Sequence, residues 1–556
     1  MLALVVAFDL VQLVVLLVPI VLAFRFARFS RASLLSMLML VCAAGILTFR
    51  TPFQATDMPI TPDSVEYAAG ARSLLLNGDF TIHLADAQWP SRYPPFFSAN
   101  VALPAYLLLG WNEFGNAILA VFCFGLLCVV AAYCGGKLIA GAAGGCLAAL
   151  LLIALSNFRI FGSQILSDVP LMFLYLDCLL VILLWNRAQL TPSKAALLLG
   201  FLSALAFSWK ITALGLVLAG GLVVLREAKI SALLLFSLWP IAAAMAVFFY
   251  NLKVFGSGFR NGYQFWVPWP YDFLSETFSF QYLIDNLIEL GESAVPAYSI
   301  VLLALMIMDW RMLKSSPGTE MSEPLLREHS RLLSFLLLTA FPLLLCFLLY
   351  FYPSERFYLP LEGLLAVLTG GILGAFLLRF SLDRLVTRWL PFMVLLTVVI
   401  WRYNYEPANE RRLVAEELLR VSSKHAALIS NLDPLYIYEV GGRTEQRSYL
   451  PLSRNVEYAS KAVASLPISY PEPRPPILGA ARSDSVLRAG AHDVFAKVAL
   501  EDFATLKARI SKGDQVFVDS VYTRPSERAE LERHFELVQV SKRVIELKIA
   551  RDGPVS

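Results

Sequence analysis

Apolar stretches recur along this chain at lengths that suit a lipid bilayer. Leu10–Phe24, Leu332–Tyr350 and Leu361–Leu378 approach the ~20 apolar residues needed to cross the hydrocarbon core. Hydropathy predicts about twelve spans, near 2–24, 33–49, 115–134, 138–155, 165–185, 195–208, 212–225, 231–250, 295–308, 332–350, 358–378 and 389–401. Of the 556 residues, 58% are hydrophobic, against roughly 45–50% in soluble domains. The expectation is a mostly α, polytopic membrane protein. Its net charge of +3 is too small to suggest a nucleic-acid partner. The N-terminus lacks a basic region and a cleavage site, so the first segment reads as a retained helix.

The seven cysteines (Cys42, Cys123, Cys128, Cys134, Cys146, Cys178 and Cys346) lie in or beside apolar segments without metal-ligand spacing. They read as small core residues rather than disulfides. Five scattered histidines do not make a histidine-rich metal site. Asp9 and Asp177 fall inside spans, where polar groups need partners; a helix-packing role is the default for both.

Basic residues set the orientation. Arg25, Arg28, Arg31, Lys137, Arg187, Lys194, Arg226, Lys229, Arg311, Lys314, Arg379 and Arg388 crowd one set of connections, which the positive-inside bias assigns to the cytoplasm. The loops 50–114 and 251–294 then face outward. So does the tail 402–556, which carries no spanning segment. The membrane region is 1–401. The tail reads as a small soluble α/β domain, with helices at Asn409–Val421 and Glu501–Ile510 and strands at Ala427–Ser430, Leu435–Val440, Gln515–Val521 and Val544–Ile549. A proline-rich loop, Pro471–Pro476, lies between them.

The outward loops carry the chemistry. Pro62 opens a helix with Asp63 in its first turn, where the macrodipole favours a carboxylate. Asp63 there is a candidate general base, with simple capping as the alternative. In Ser91-Arg92-Tyr93-Pro94-Pro95-Phe96 the prolines stiffen the backbone and extend Tyr93, and Arg92 offers a guanidinium suited to phosphate. Asp168 in Ser167-Asp168-Val169-Pro170 sits at the outer start of the fifth span. Lys210, in Trp209-Lys210-Ile211, and Arg356, in Ser354-Glu355-Arg356-Phe357-Tyr358, occupy short outward turns. Single cations in such turns also bind lipid headgroups. The aromatics of 251–294, including Phe255, Phe259, Tyr263, Trp269, Tyr271 and Phe273, fit an interfacial belt or, alternatively, a jaw over a cavity.

In this order the elements resemble the GT-C superfamily of membrane glycosyltransferases. The branch concerned holds protein O-mannosyltransferases and the aminoarabinose transferase of lipid A. Asp63 with Tyr67 resembles its acidic D-x-x-x-Y pattern, Arg92-Tyr93-Pro94-Pro95 its Pro-Pro motif, and Asp168 its second acid. Lys210 and Arg356-Phe357-Tyr358-Leu359-Pro360 resemble its later turns. In the tail, Asn431 and Gly441-Gly442-Arg443 resemble parts of its periplasmic domain. The sequence departs from the branch in lacking an adjacent Asp-Glu pair in the first loop and in placing Tyr93, not lysine, before Pro94.

The resemblance implies a GT-C-like fold and transfer of a sugar from a polyprenyl-phosphate donor to a lipid, glycan or protein acceptor, on the outer face of a bacterial inner membrane. Asp63 and Asp168 would be catalytic; Arg92, Lys210 and Arg356 would hold the donor phosphate; Glu66, Tyr67, Tyr93 and Tyr358 would contact substrate. No cofactor is required, although Asp57, Asp63 and Asp168 are oxygen ligands of the kind that bind a divalent metal. The competing expectation is a lipid-linked glycan transporter or polymerase. Transporters, however, favour repeated halves with polar groups at the midplane, and no repeat is evident.

Overall fold

The structure is a computed structural model. It describes residues 2–549 except 49–61, 85–86, 112–114, 228–229, 267–270, 272, 316–322, 383–384, 404–409, 431, 433, 442–446 and 452–499. Asp57, Trp269, Asn431, Gly442, Arg443 and the loop Pro471–Pro476 therefore lie outside the described residues.

The protein is a polytopic helical membrane protein with a small α/β domain at its C-terminal end. Helices α1 (Leu2–Phe26) and α2 (Arg31–Thr48) open the chain. Seven helices among the described residues are long and apolar enough to cross a membrane by themselves. Phe280–Glu292 and Val295–Ile307, bent by 65° against each other, form an eighth candidate. Ile211–Arg226, Ser334–Leu348 and Leu385–Ile400 are shorter apolar helices at three further expected positions.

The two expected spans, 115–134 and 138–155, appear as the two helical halves of Asn116–Ala154, parted by non-helical backbone at Ala140 and Gly141. Gly141 has φ +68°, a left-handed conformation that glycine adopts without Cβ strain. The two halves fold back on each other so closely that a Cβ on Gly136 would strike the carbonyl oxygen of Gly144. Helix Leu359–Arg379 lies against this hairpin, with Gly370 on the Ala148 backbone and Gly374 on the Gly144 backbone. Small residues replace solvent-driven packing where helices meet in lipid, letting backbones approach. Helix Asp168–Asn186, buried almost throughout, packs on both of these elements. Around this centre large apolar side chains are exposed, as are Ile230, Leu234, Leu238, Ile241 and Phe249 on helix Ile230–Phe255. That is a lipid-facing surface.

Four of the cysteines are buried, but Cys42, Cys123 and Cys346 are exposed on the bundle. Those three correct the expectation of core positions: in lipid a thiol packs outward as readily as inward. Asp9 accepts a hydrogen bond from Asn100 at 2.7 Å. Neither oxygen of the fully buried Asp177 has a partner among the described residues.

The stretch after α2 forms α3 (Pro62–Asn77) and a hairpin of β1 (Thr81–Leu84) and β2 (Ala87–Pro90). The C-terminal domain has a sheet ordered β4 (Ser448–Pro451), β3 (Ala427–Ser430), β5 (Val516–Asp519), β7 (Val544–Lys548) and β6 (Glu536–Gln539). Strand β3 runs parallel to β4 and β5, while β7 is antiparallel to β5 and β6. Helices Glu410–Val421 and Leu500–Ser511 lie where the sequence places them. Leu435–Val440 is not a strand but part of helix Pro434–Val440. A short apolar run fits either period, and Pro434 at its head favours the helical start. Strands β4 and β6 and helix Pro525–His534 were not expected.

Candidate active site

Three acids and three bases from five separate segments meet at one end of the bundle. Pro62 begins α3 and puts Asp63 in its first turn. Glu66 and Tyr67 follow at helical spacings of three and four, so all three share one face. The next piece is the turn after β2. Ser91 Oγ accepts a hydrogen bond from the Tyr93 N–H at 3.1 Å, and Pro95 opens a short helix that runs into a π-helical turn, Ser98–Ala102. This turn presents Arg92 to α3. Its Nε donates to Glu66 Oε1 at 2.5 Å, and its backbone N–H donates to Glu66 Oε2 at 3.2 Å.

Helix Asp168–Asn186 supplies its first residue. Asp168 is 2% exposed and accepts a hydrogen bond from Lys210 Nζ at 2.5 Å. Lys210 caps helix Pro192–Trp209 in an extended conformation, φ −152° and ψ 120°, which turns its side chain out of the helical path. Arg356 stands in a single 3-10 turn ahead of helix Leu359–Arg379. Its Nη2 donates to Asp63 Oδ2 at 2.9 Å. The Phe357 ring lies beneath both cations, 5.0 Å from Lys210 Nζ and 5.4 Å from Arg356 Cζ.

Tyrosines fill the space between these pairs. The Tyr67 ring sits 4.4 Å from Tyr93 and 4.5 Å from Phe97, and its hydroxyl pairs with Ser167. Tyr93 meets Tyr263 at 5.3 Å, Tyr263 meets Tyr271 at 5.0 Å, and the Tyr271 and Tyr350 hydroxyls are 2.7 Å apart. The loop carrying Tyr263 is pressed onto the Arg92 turn: a Cβ on Gly262 would lie 2.5 Å from the carbonyl oxygens of Ser91 and Arg92. Phe259, by contrast, is 86% exposed. Part of this aromatic loop therefore covers the cluster, and part stays exposed on the surface.

Charge is nearly balanced, and the balance controls the acids. Burial pushes the Asp63 carboxyl up, but the Arg356 and Arg92 guanidiniums and a hydrogen bond from Tyr93 outweigh it and hold Asp63 at about 2. Burial pushes the Glu66 carboxyl up, and Arg92 offsets this only in part. In the resting arrangement Asp63 is fully ionised and a weak base, because its lone pairs already serve a guanidinium.

Asp63, Glu66, Tyr67, Arg92, Tyr93, Asp168, Lys210 and Arg356 are thus brought together. Tyr358 is placed apart from them: its hydroxyl donates to the Asn286 carbonyl at 3.4 Å and its ring faces Phe347. One residue after Phe357 in a 3-10 turn, it points to a different neighbour than Arg356 does, a separation that the linear motif conceals. With Asp57 outside the described residues, no group of three His, Cys, Asp or Glu side chains able to hold a metal ion exists among those described. Sequence reasoning passed over Ser167, Phe357 and Tyr350 as site residues. Only the position of Ser167 beside Asp168, and of Phe357 beside Arg356, gave any signal.

No protein-family model matches the chain, and no curated protein does. Its fold is shared with ArnT from Cupriavidus metallidurans. The form solved bound to undecaprenyl phosphate is 12% identical with a TM-score of 0.55, and the apo form is 14% identical with a TM-score of 0.57. Each comparison covers 93% of this chain and 98% of ArnT. The oligosaccharyltransferase of Archaeoglobus fulgidus, solved tethered to an acceptor peptide, is 11% identical over 93% of this chain and 74% of its own, with a TM-score of 0.46.

Proposed function

We propose that this protein is an integral-membrane glycosyltransferase that moves a sugar from a polyprenyl-phosphate donor to a lipid, glycan or protein acceptor on the extracytoplasmic face. The observation that carries the proposal is the meeting of Asp63, Glu66 and Asp168 with Arg92, Lys210 and Arg356 at one end of the bundle. The bundle has the fold of a protein solved with undecaprenyl phosphate bound. Three cations in one cluster suit a lipid phosphate, and the carboxylates paired with them suit proton transfer and sugar hydroxyls.

The mechanism follows from the pairing. A donor phosphodiester entering the cluster competes with Asp63 for Arg356. As the guanidinium turns to the phosphate, Asp63 loses its strongest stabilising partner and becomes a better base. The acceptor hydroxyl oxygen then attacks the anomeric carbon from the face opposite the phosphate. The bond between that carbon and the phosphate oxygen breaks, and the electron pair leaves with the polyprenyl phosphate. The hydroxyl proton passes to Asp63. The leaving group gains a negative charge in this step, which Arg92, Lys210 and Arg356 stabilise most strongly as it develops. A single displacement inverts the anomeric centre. Asp168, tied to Lys210, orients sugar, while Tyr67, Tyr93 and Glu66 line the approach.

The test uses purified protein in lipid nanodiscs with polyprenyl-phosphate sugars carrying a label in the sugar. Transfer of label with release of polyprenyl phosphate, insensitive to excess EDTA, supports the proposal. Movement of intact labelled lipid across a bilayer without release of polyprenyl phosphate would identify a transporter instead.

A further inference from the structure

Helix α3 is held at both ends, and by different domains. Its first turn is tied to the membrane helices through Asp63 and Arg356. Nine residues later, about 14 Å along the axis, Arg72 meets the C-terminal domain. Arg72 Nη1 lies 2.5 Å from Glu439 Oε2 and donates to the Glu439 carbonyl oxygen at 3.0 Å. Both side chains are completely excluded from solvent, and the Trp111 ring stands 5.9 Å from the guanidinium carbon. Arg72 Nε and Nη2 find no acceptor among the described residues, so Glu439 is what compensates this buried charge there.

Glu439 belongs to helix Pro434–Val440, which follows β3 and packs on both α3 and β1. On this segment Tyr436, Ile437 and Tyr438 are also buried. A buried ion pair adds little stability over an apolar pair of equal volume, but a broken one leaves an uncompensated charge, so it tolerates few alternative arrangements. Placed here, it fixes the rotation and depth of α3, and with them the face that carries Asp63, Glu66 and Tyr67.

We infer that Arg72 and Glu439 are positioning residues, through which the C-terminal domain clamps α3 and keeps the candidate catalytic acid in register with its cations. The effect on transfer rests on the glycosyltransferase proposal; the clamp itself does not.

The experiment compares amide hydrogen exchange of the full-length protein in nanodiscs for wild type, Glu439→Gln and Glu417→Gln. Glu417 pairs with Arg543 inside the C-terminal domain and serves as the control for general loosening. Glu439→Gln is expected to speed exchange across 62–77 by about tenfold or more, while Glu417→Gln leaves that helix unchanged. In transfer assays, Glu439→Gln lowers kcat by about 10–100-fold with the donor KM held within about twofold. If Glu439→Gln does not fold, Glu439→Asp, which keeps the charge but shortens the reach, carries the same comparison with a smaller expected acceleration. A folded variant whose α3 exchange matches wild type overturns the clamp, as does equal loosening of α3 by Glu417→Gln. Faster α3 exchange in an enzyme that transfers none of the sugars offered upholds the clamp and counts against the activity.

Discussion

Asp63 holds a position of opposed demands in the cluster. It is buried, which disfavours its charge, and it is paired, which restores the charge and removes its basicity. Two predictions follow from that conflict. First, Asp63→Asn should lower transfer by on the order of 10²–10⁴ while leaving thermal stability near pH 7 within a few degrees, checked by initial rates and melting of the purified protein. Second, Arg356→Gln should raise the donor KM and move the acidic limb of the pH–rate profile to higher pH, because Asp63 loses the guanidinium that depresses it. A pH titration of kcat/KM checks this. Folding stability depends on the same depression of the Asp63 carboxyl. The Asp63 carboxyl drops from 3.8 to about 2 on folding, so the contribution is fully present above pH 4 and is lost as pH falls toward 2. Its size is on the order of 2 kcal/mol, and Asp63→Asn should lack that acid-labile component.

Among the elements, small residues decide what can approach what. Gly374 lies on the Gly144 backbone at the centre of the bundle; Gly374→Ala should cost about 1–3 kcal/mol by overpacking, read from thermal unfolding in detergent. Gly262 does the equivalent for the site. A methyl there would push the Tyr263 loop off the Arg92 turn, so Gly262→Ala should lower transfer several-fold without lowering the melting temperature. The residues that position the site were legible in the sequence where the chemistry is local. Pro62 ahead of Asp63, Pro94-Pro95 after Arg92, and Ser167 ahead of Asp168 each announce a helix start. What the sequence did not disclose is pairing. Nothing in the spacing links Arg356 to Asp63 across 293 residues, or Arg72 to Glu439 across 367. Tyr358 shares a motif with Arg356 yet faces a different neighbour, because a 3-10 turn sends successive side chains to different sides.

At the scale of the whole molecule, hydropathy located apolar helices, seven of them long enough to span by themselves among the described residues, and charge bias proposed their orientation. Hydropathy gave the two helices on either side of Ala140–Gly141 but not how tightly they pack, since a close backbone approach leaves no mark in hydrophobicity. The orientation yields a prediction of its own. In a cysteine-free background, Asn77→Cys and Phe259→Cys, both exposed positions, should react with a membrane-impermeant maleimide from the extracytoplasmic side. Gln189→Cys, exposed in a connection rich in basic residues, should react from the cytoplasmic side only. Labelling of Asn77→Cys and Gln189→Cys from the same face would undo the sidedness on which the donor assignment depends.

The most direct measurement is single-turnover release of polyprenyl phosphate from a panel of labelled polyprenyl-phosphate sugars, run with wild type and folded Asp63→Asn in parallel. The account predicts release by wild type with at least one sugar, coupled to label on an acceptor, and a rate at least about a hundredfold lower for Asp63→Asn. Release at the wild-type rate by Asp63→Asn would contradict it.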